Sequence, residues 1–132
     1  MSPKIRILIA AFFVTALASA GTHAATVEAV FSKALADIPG REATVVTVEY
    51  QPGEASPLHR HNAHTIVYVL EGSIVMQVKG GPLTTVSTGE VFYETPDDIH
   101  TVSKNASTSD SAKFLVLFIK QENAPPTVPV AE

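Results

Sequence analysis

Beyond residue 40 the apolar positions fall in short runs separated by turn residues. Pro39-Gly40, Pro52-Gly53, Glu71-Gly72, Gly80-Gly81-Pro82, Gly89 and Pro96-Asp97 punctuate the chain and leave segments of strand length between them. Seven of these segments are rich in Val, Ile, Thr, Phe and Tyr and predict strands: residues 43–50, 65–71, 73–79, 83–87, 91–94, 99–103 and 113–120. Residues 27–36 fit a strand and a helix equally, because Val27, Val30, Phe31 and Ala34 follow helical spacing but Pro39-Gly40 cuts the run short. The tail, residues 124–132 (APPTVPVAE), is predicted extended, lying along the barrel wall or in solvent. The pattern is all-β, a sandwich or a barrel.

Residues 65–71 are apolar on both faces, with Ile66, Tyr68 and Leu70 pointing one way and Val67 and Val69 the other. One set fills a core, so the other needs a cover. A second subunit would supply it and predicts a homodimer through this sheet; the alternative is cover by the N-terminal segment and the Pro-rich tail.

The start of the chain has a different character. Lys4 and Arg6 precede the uncharged run 7–20, which ends in small residues, the form of an export signal cleaved after Ala24, with Ala20 as the other acceptable site. The run is shorter than the roughly 20 apolar residues of a spanning helix, which argues against a retained membrane anchor. The organisation expected is a signal peptide over 1–24, an N-terminal segment over 25–41, a barrel over 42–120 and a tail over 121–132, in a periplasmic or secreted protein.

Losing Lys4 and Arg6 but no acid moves the formal charge from −4 to −6. No basic field remains to hold a nucleic acid or an anionic membrane surface. The absence of Cys removes disulfides, thiolate nucleophiles and sulfur-ligated metals, so any metal site must be built from His, carboxylate or water.

Four histidines remain after the signal: His59, His61 and His64 within six residues, and His100 in a later apolar segment. His59 and His61 are two apart, so on a strand both imidazoles face one side and Arg60 the other. With His100 brought opposite by a barrel, they form a candidate site for a divalent transition metal, with Fe, Mn, Zn, Ni and Cu all admissible. His64 joins them only from a loop or a bulge before Thr65, leaving three or four imidazoles open at this point. Glu94, Tyr93, Asp97 and Asp98 lie near in sequence, the two aspartates as candidate acceptors for an imidazole N–H. Glu54 and Glu71 are weaker candidates for a general base. Asn105-Ala106-Ser107 fits a glycosylation sequon, a pattern short enough to arise by chance.

These residues resemble the two motifs of the cupin superfamily. The first is similar to Gly53, five residues, His59-Arg60-His61, three residues, Thr65, six residues and Gly72, where Thr65 replaces the family's Glu. The second is similar to Gly89, five residues, Thr95-Pro96-Asp97, two residues and His100, with Asn105 one residue beyond the place of the family's Asn. The resemblance covers about residues 42–120 and implies a single double-stranded β-helix, the cupin or jelly-roll barrel, with His100 as a metal ligand. Its nearest form is the small single-domain cupin described as quercetin dioxygenase-like. The implied function is a metal-dependent, dioxygenase-like enzyme acting on a small organic molecule; the alternatives are a non-catalytic metal- or ligand-binding protein, and a metal-dependent isomerase, lyase or decarboxylase.

Overall fold

Strand β4 (His64–Glu71) shows how the alternation becomes a wall. Thr65, Val67 and Val69 are buried, while Ile66, Tyr68 and Leu70 stand 37–42% exposed on the other face. The computed structural model describes residues 24–131, and all of its regular elements are strands. Besides β4 they are β1 (Thr26–Ala34), β2 (Arg41–Tyr50), β3 (His59–Arg60), β5 (Ser73–Val78), β6 (Thr84–Ser87), β7 (Val91–Glu94), β8 (His100–Asn105), β9 (Ala112–Gln121) and β10 (Val128–Pro129). The expected export signal lies outside the described residues except for Ala24.

The strands form two five-stranded antiparallel sheets, ordered β1-β2-β9-β4-β7 and β10-β3-β8-β5-β6. Their inner faces close on one core: Val46, Val67, Val69, Phe114, Val116 and Phe118 from the first sheet, Ile74, Met76 and Val86 from the second. This is the double-stranded β-helix that the motifs imply. Gly72 turns the β4–β5 hairpin at φ +70, and a Cβ there would come within 2.9 Å of the Ser111 carbonyl oxygen, so the glycine of the first motif is structural.

Three segments were underdetermined by pattern. Residues 26–34 form a strand, because backbone bonding to β2 from Thr26↔Glu49 to Ala34↔Glu42 outweighs the helical spacing; the extra residue Val30 is absorbed in a bulge between Ala29 and Phe31. Residues 59–60 form the short β3, opposite β8. The tail lies along the barrel, with β10 pairing β3 and the Val130 N–H donating to the Leu58 carbonyl at 3.3 Å.

Lys120 anchors that tail. It points inward at the end of β9, is buried, donates to the Ala124 carbonyl at 2.6 Å, and is paired with the Glu42 carboxylate, its register partner on β2. The ammonium beside it holds the Glu42 carboxyl below the usual carboxylate range. Neither terminal segment covers the outer face of β4: β1 extends the first sheet beyond β2, and β10 joins the second sheet. Cover by those two segments is therefore excluded among the described residues.

Candidate metal centre

His59 and His100 are direct register partners across β3 and β8, so both rings leave the second sheet on its inner face. His61 follows two residues after His59 and returns to the same face, as the parity of a strand requires. Centroid separations are 4.8 Å for His59 and His61 and 4.9 Å for His59 and His100. One nitrogen from each of the three rings lies within 4.8 Å of the other two. The opposite wall comes from the first sheet, where Phe118 packs 5.0 Å from the His61 ring.

Each of the first two rings has its outer nitrogen occupied. The Nδ1–H of His59 donates to the Pro57 carbonyl at 2.7 Å, and that of His61 to the Pro126 carbonyl at 2.8 Å. These bonds set the tautomer and leave both Nε2 lone pairs facing the interior. Among the described residues neither nitrogen of His100 has a hydrogen-bond partner, although the ring is buried. Burial pushes the pKa of His59 and of His61 below the ordinary imidazole value, against the opposing pull of their carbonyl partners and of Glu94. Three imidazoles gathered on one interior point, with neither nitrogen of His100 bonded elsewhere among the described residues, fit a divalent transition ion.

His64 is not part of this group, and a four-imidazole site is corrected to three. Thr65 has inward parity, so His64 next to it points outward; its Nδ1 meets the Tyr93 hydroxyl at 2.7 Å on the outer surface. The left-handed Asn62 (φ 51) turns the chain between β3 and β4 without bringing the His64 ring inside. The two aspartates do not reach the imidazoles either. Asp97 is exposed, and Asp98 accepts the Thr95 N–H at 2.7 Å within its own turn. Glu54 closes a turn by accepting the Gln51 N–H at 2.7 Å, and Glu71 is exposed. Asn105 is buried, its amide donating to the carbonyls of Asp110 at 2.8 Å and Gln51 at 3.1 Å, so the sequon asparagine is a structural tie.

Glu94 is the acid that does reach the site. Its Oε1 stands 3.1 Å from His100 Nδ1 and its Oε2 3.7 Å from His61 Nε2, with the side chain only 2% exposed. The signal for this was parity: Val91 and Tyr93 face outward, so Phe92 and Glu94 must face in. The Pro126 carbonyl had no sequence signal at all, since a backbone acceptor is placed only by the folded tail.

The imidazoles open into a cavity of about 300 Å³. Its walls are largely apolar, built from residues such as Val46, Val48, Met76, Phe114 and Val116. Among the described residues no Lys or Arg lines it, and Glu94 is the one carboxylate that does. Tyr50 also lines it, with its hydroxyl bonded to Ser103 at 2.8 Å and to Ser56. Burial raises the pKa of this phenol, which keeps it protonated.

A family model described as a cupin domain matches residues 46–118. No curated protein matches the chain. Among solved structures, a protein with a double-stranded β-helix domain from Klebsiella pneumoniae superposes with a TM-score of 0.64 at 15% identity, over 82% of this chain and 85% of that one. An oxalate oxidase in complex with the substrate analogue glycolate gives 0.59 at 24% identity, over 79% and 54%. The DMSP lyase DddQ from Ruegeria pomeroyi gives 0.58 at 20%, over 65% of this chain and 42% of its own length. This chain thus spans less than half of that lyase, and likenesses at these identities speak for the fold.

Proposed function

Because this chain belongs to the cupin family, we propose that it is a metal-dependent enzyme for a small, largely apolar organic molecule, with a divalent transition ion held by His59, His61 and His100. The observation that carries this reading is the convergence of three imidazoles, His59 and His100 buried and His61 partly buried, two with their inward nitrogens freed by backbone carbonyls, on an apolar cavity. When bound, the ion supplies a Lewis acid or a redox centre with positions open to substrate oxygen.

The chain's own residues supply the rest. Pro57 and Pro126 fix the ring orientations of His59 and His61. The aliphatic and aromatic walls exclude water and favour an apolar body. With no cationic side chain among the described residues of the lining, a substrate carrying several negative charges finds no partner there apart from the ion. The favoured substrate is a neutral or singly charged molecule with one oxygen-bearing head, such as an enol or a phenol, and oxygen chemistry is the favoured reaction.

Elemental analysis of the purified protein, followed by oxygen uptake with candidate enols and phenols, tests the proposal. A redox-active metal with turnover supports it. Tight zinc without turnover would make the protein a binding module. The proposal includes export: mass spectrometry of protein recovered outside the cytosol should find an N-terminus near Ala25, and full-length chain retained in the cytosol would refute that part.

A further inference from the structure

We propose that Glu94 is the fourth protein ligand of the metal centre, presenting from β7 the carboxylate that Thr65 on β4 lacks. This rests on the three-imidazole reading above and extends it. Thr65 and Glu94 are direct register partners in the antiparallel β4–β7 pair, both pointing inward, with exposures of 0% and 2%. Opposed side chains on one face of such a pair have Cβ atoms about 4.5–5.5 Å apart. A carboxylate can therefore cross from one strand to its neighbour and still serve nearly the same point in the barrel.

The local bonding supports the exchange. The Thr65 hydroxyl donates to the Ala63 carbonyl at 3.3 Å and is turned toward its own backbone. Oε2 of Glu94 is buried with no hydrogen-bond partner among the described residues, an arrangement that is costly for a carboxylate unless something cationic completes it. It faces His61 Nε2 at 3.7 Å, while Oε1 faces His100 Nδ1 at 3.1 Å. Two donors sharing one ion at about 2.1 Å each stand no more than about 4.2 Å apart, and both separations lie inside that limit. The other acids near in sequence are exposed or bonded within turns, so among the described residues Glu94 is the carboxylate in reach. Three neutral imidazoles and one carboxylate leave a site of net charge one around a divalent ion.

The competing role for Glu94 is to orient His100 by accepting its Nδ1–H. Glu94→Gln separates the two, because the amide oxygen still accepts from His100 but the anionic donor is gone. Cobalt(II) binding, read by calorimetry and by visible absorption of the bound ion, is the measurement. Ligation predicts a loss of affinity beyond the roughly 10–100-fold typical of residues that only orient a ligand, together with an altered cobalt spectrum. An unchanged spectrum with a loss within that range would overturn the proposal and leave the three-imidazole site standing. Wild-type protein that binds no cobalt would instead overturn the reading on which it rests.

Should Glu94→Gln fail to fold by far-UV circular dichroism, the exchange itself is the second test. Restoring the carboxylate on β4 in the double variant Thr65→Glu, Glu94→Thr should recover affinity and spectrum relative to Glu94→Thr alone. Equal binding by those two variants would count against ligation.

Discussion

The ring of His61 is fixed by the carbonyl oxygen of Pro126, 2.8 Å from its Nδ1 and 65 residues further along the chain. The same Nδ1 lies 3.3 Å from the Thr127 hydroxyl. A segment with the composition of a dispensable extension thus selects the tautomer of a central imidazole. Ending the chain after Asn123 should leave the two-sheet core folded but weaken metal binding by about 10–100-fold, the usual effect of losing a partner that orients a ligand. Chelator competition gives the affinity and circular dichroism the fold; unchanged affinity would show that the tail is only packing.

The three inner histidines and the outer one should separate cleanly. His100→Ala leaves two imidazoles, and metal retained after dialysis should fall to background. His64→Ala removes a ring that contacts Tyr93 on the outer surface and should leave metal content unchanged. Full occupancy in His100→Ala would place the ion somewhere else.

The metal-free protein should lose stability on mild acidification. His59 and His61 have folded-state pKa values below the ordinary imidazole value because of burial. As pH falls below about 6.5, the unfolded chain takes up protons first. The unfolded state then binds more protons than the folded one, so stability is complete above that pH and is lost as pH drops toward the lowered folded values. Tm of the metal-free protein should be level between about pH 7 and 8 and decline below about 6.5. A Tm that held level to about pH 5 would contradict the burial-driven shifts.

The outer face of the first sheet presents Ile66, Tyr68 and Leu70 beside Val91 and Tyr93 of β7, all at least 37% exposed. Stable dimers bury about 1,200–2,000 Å² in total, an area that a sheet face can supply. The expected solution state is a dimer through this face. Light scattering should give twice the chain mass at micromolar concentration, and Ile66→Glu should halve it without unfolding the barrel. A wild-type mass of one chain would rule out this assembly.

Parity made much of this legible before any coordinates. Alternation in residues 65–71 separated the core face from the outer face, and the spacing of His59 and His61 set both rings on one side. The same parity placed His64 outside, but the turn at Asn62 left room for a loop conformation that only φ 51 at that residue decides. Glu94 was visible as a neighbour and not as a participant, because its importance depends on the Thr65↔Glu94 register, a pairing between distant segments. The strand character of residues 26–34 depends likewise on an edge offered by β2, which local spacing does not encode.

The tail also orders events in time. Until residues 124–131 dock, His61 lacks its Pro126 partner and β3 lacks β10 along one side. The first sheet's β2, β4, β7 and β9 and the His59–His100 pairing need none of those residues, so the barrel can close before its centre is finished. On the proposed reading, tight loading of an ion waits for the tail to dock. If, as proposed, the chain is exported unfolded and then holds an ion, the supply in the compartment where it arrives chooses among the ions the site accepts.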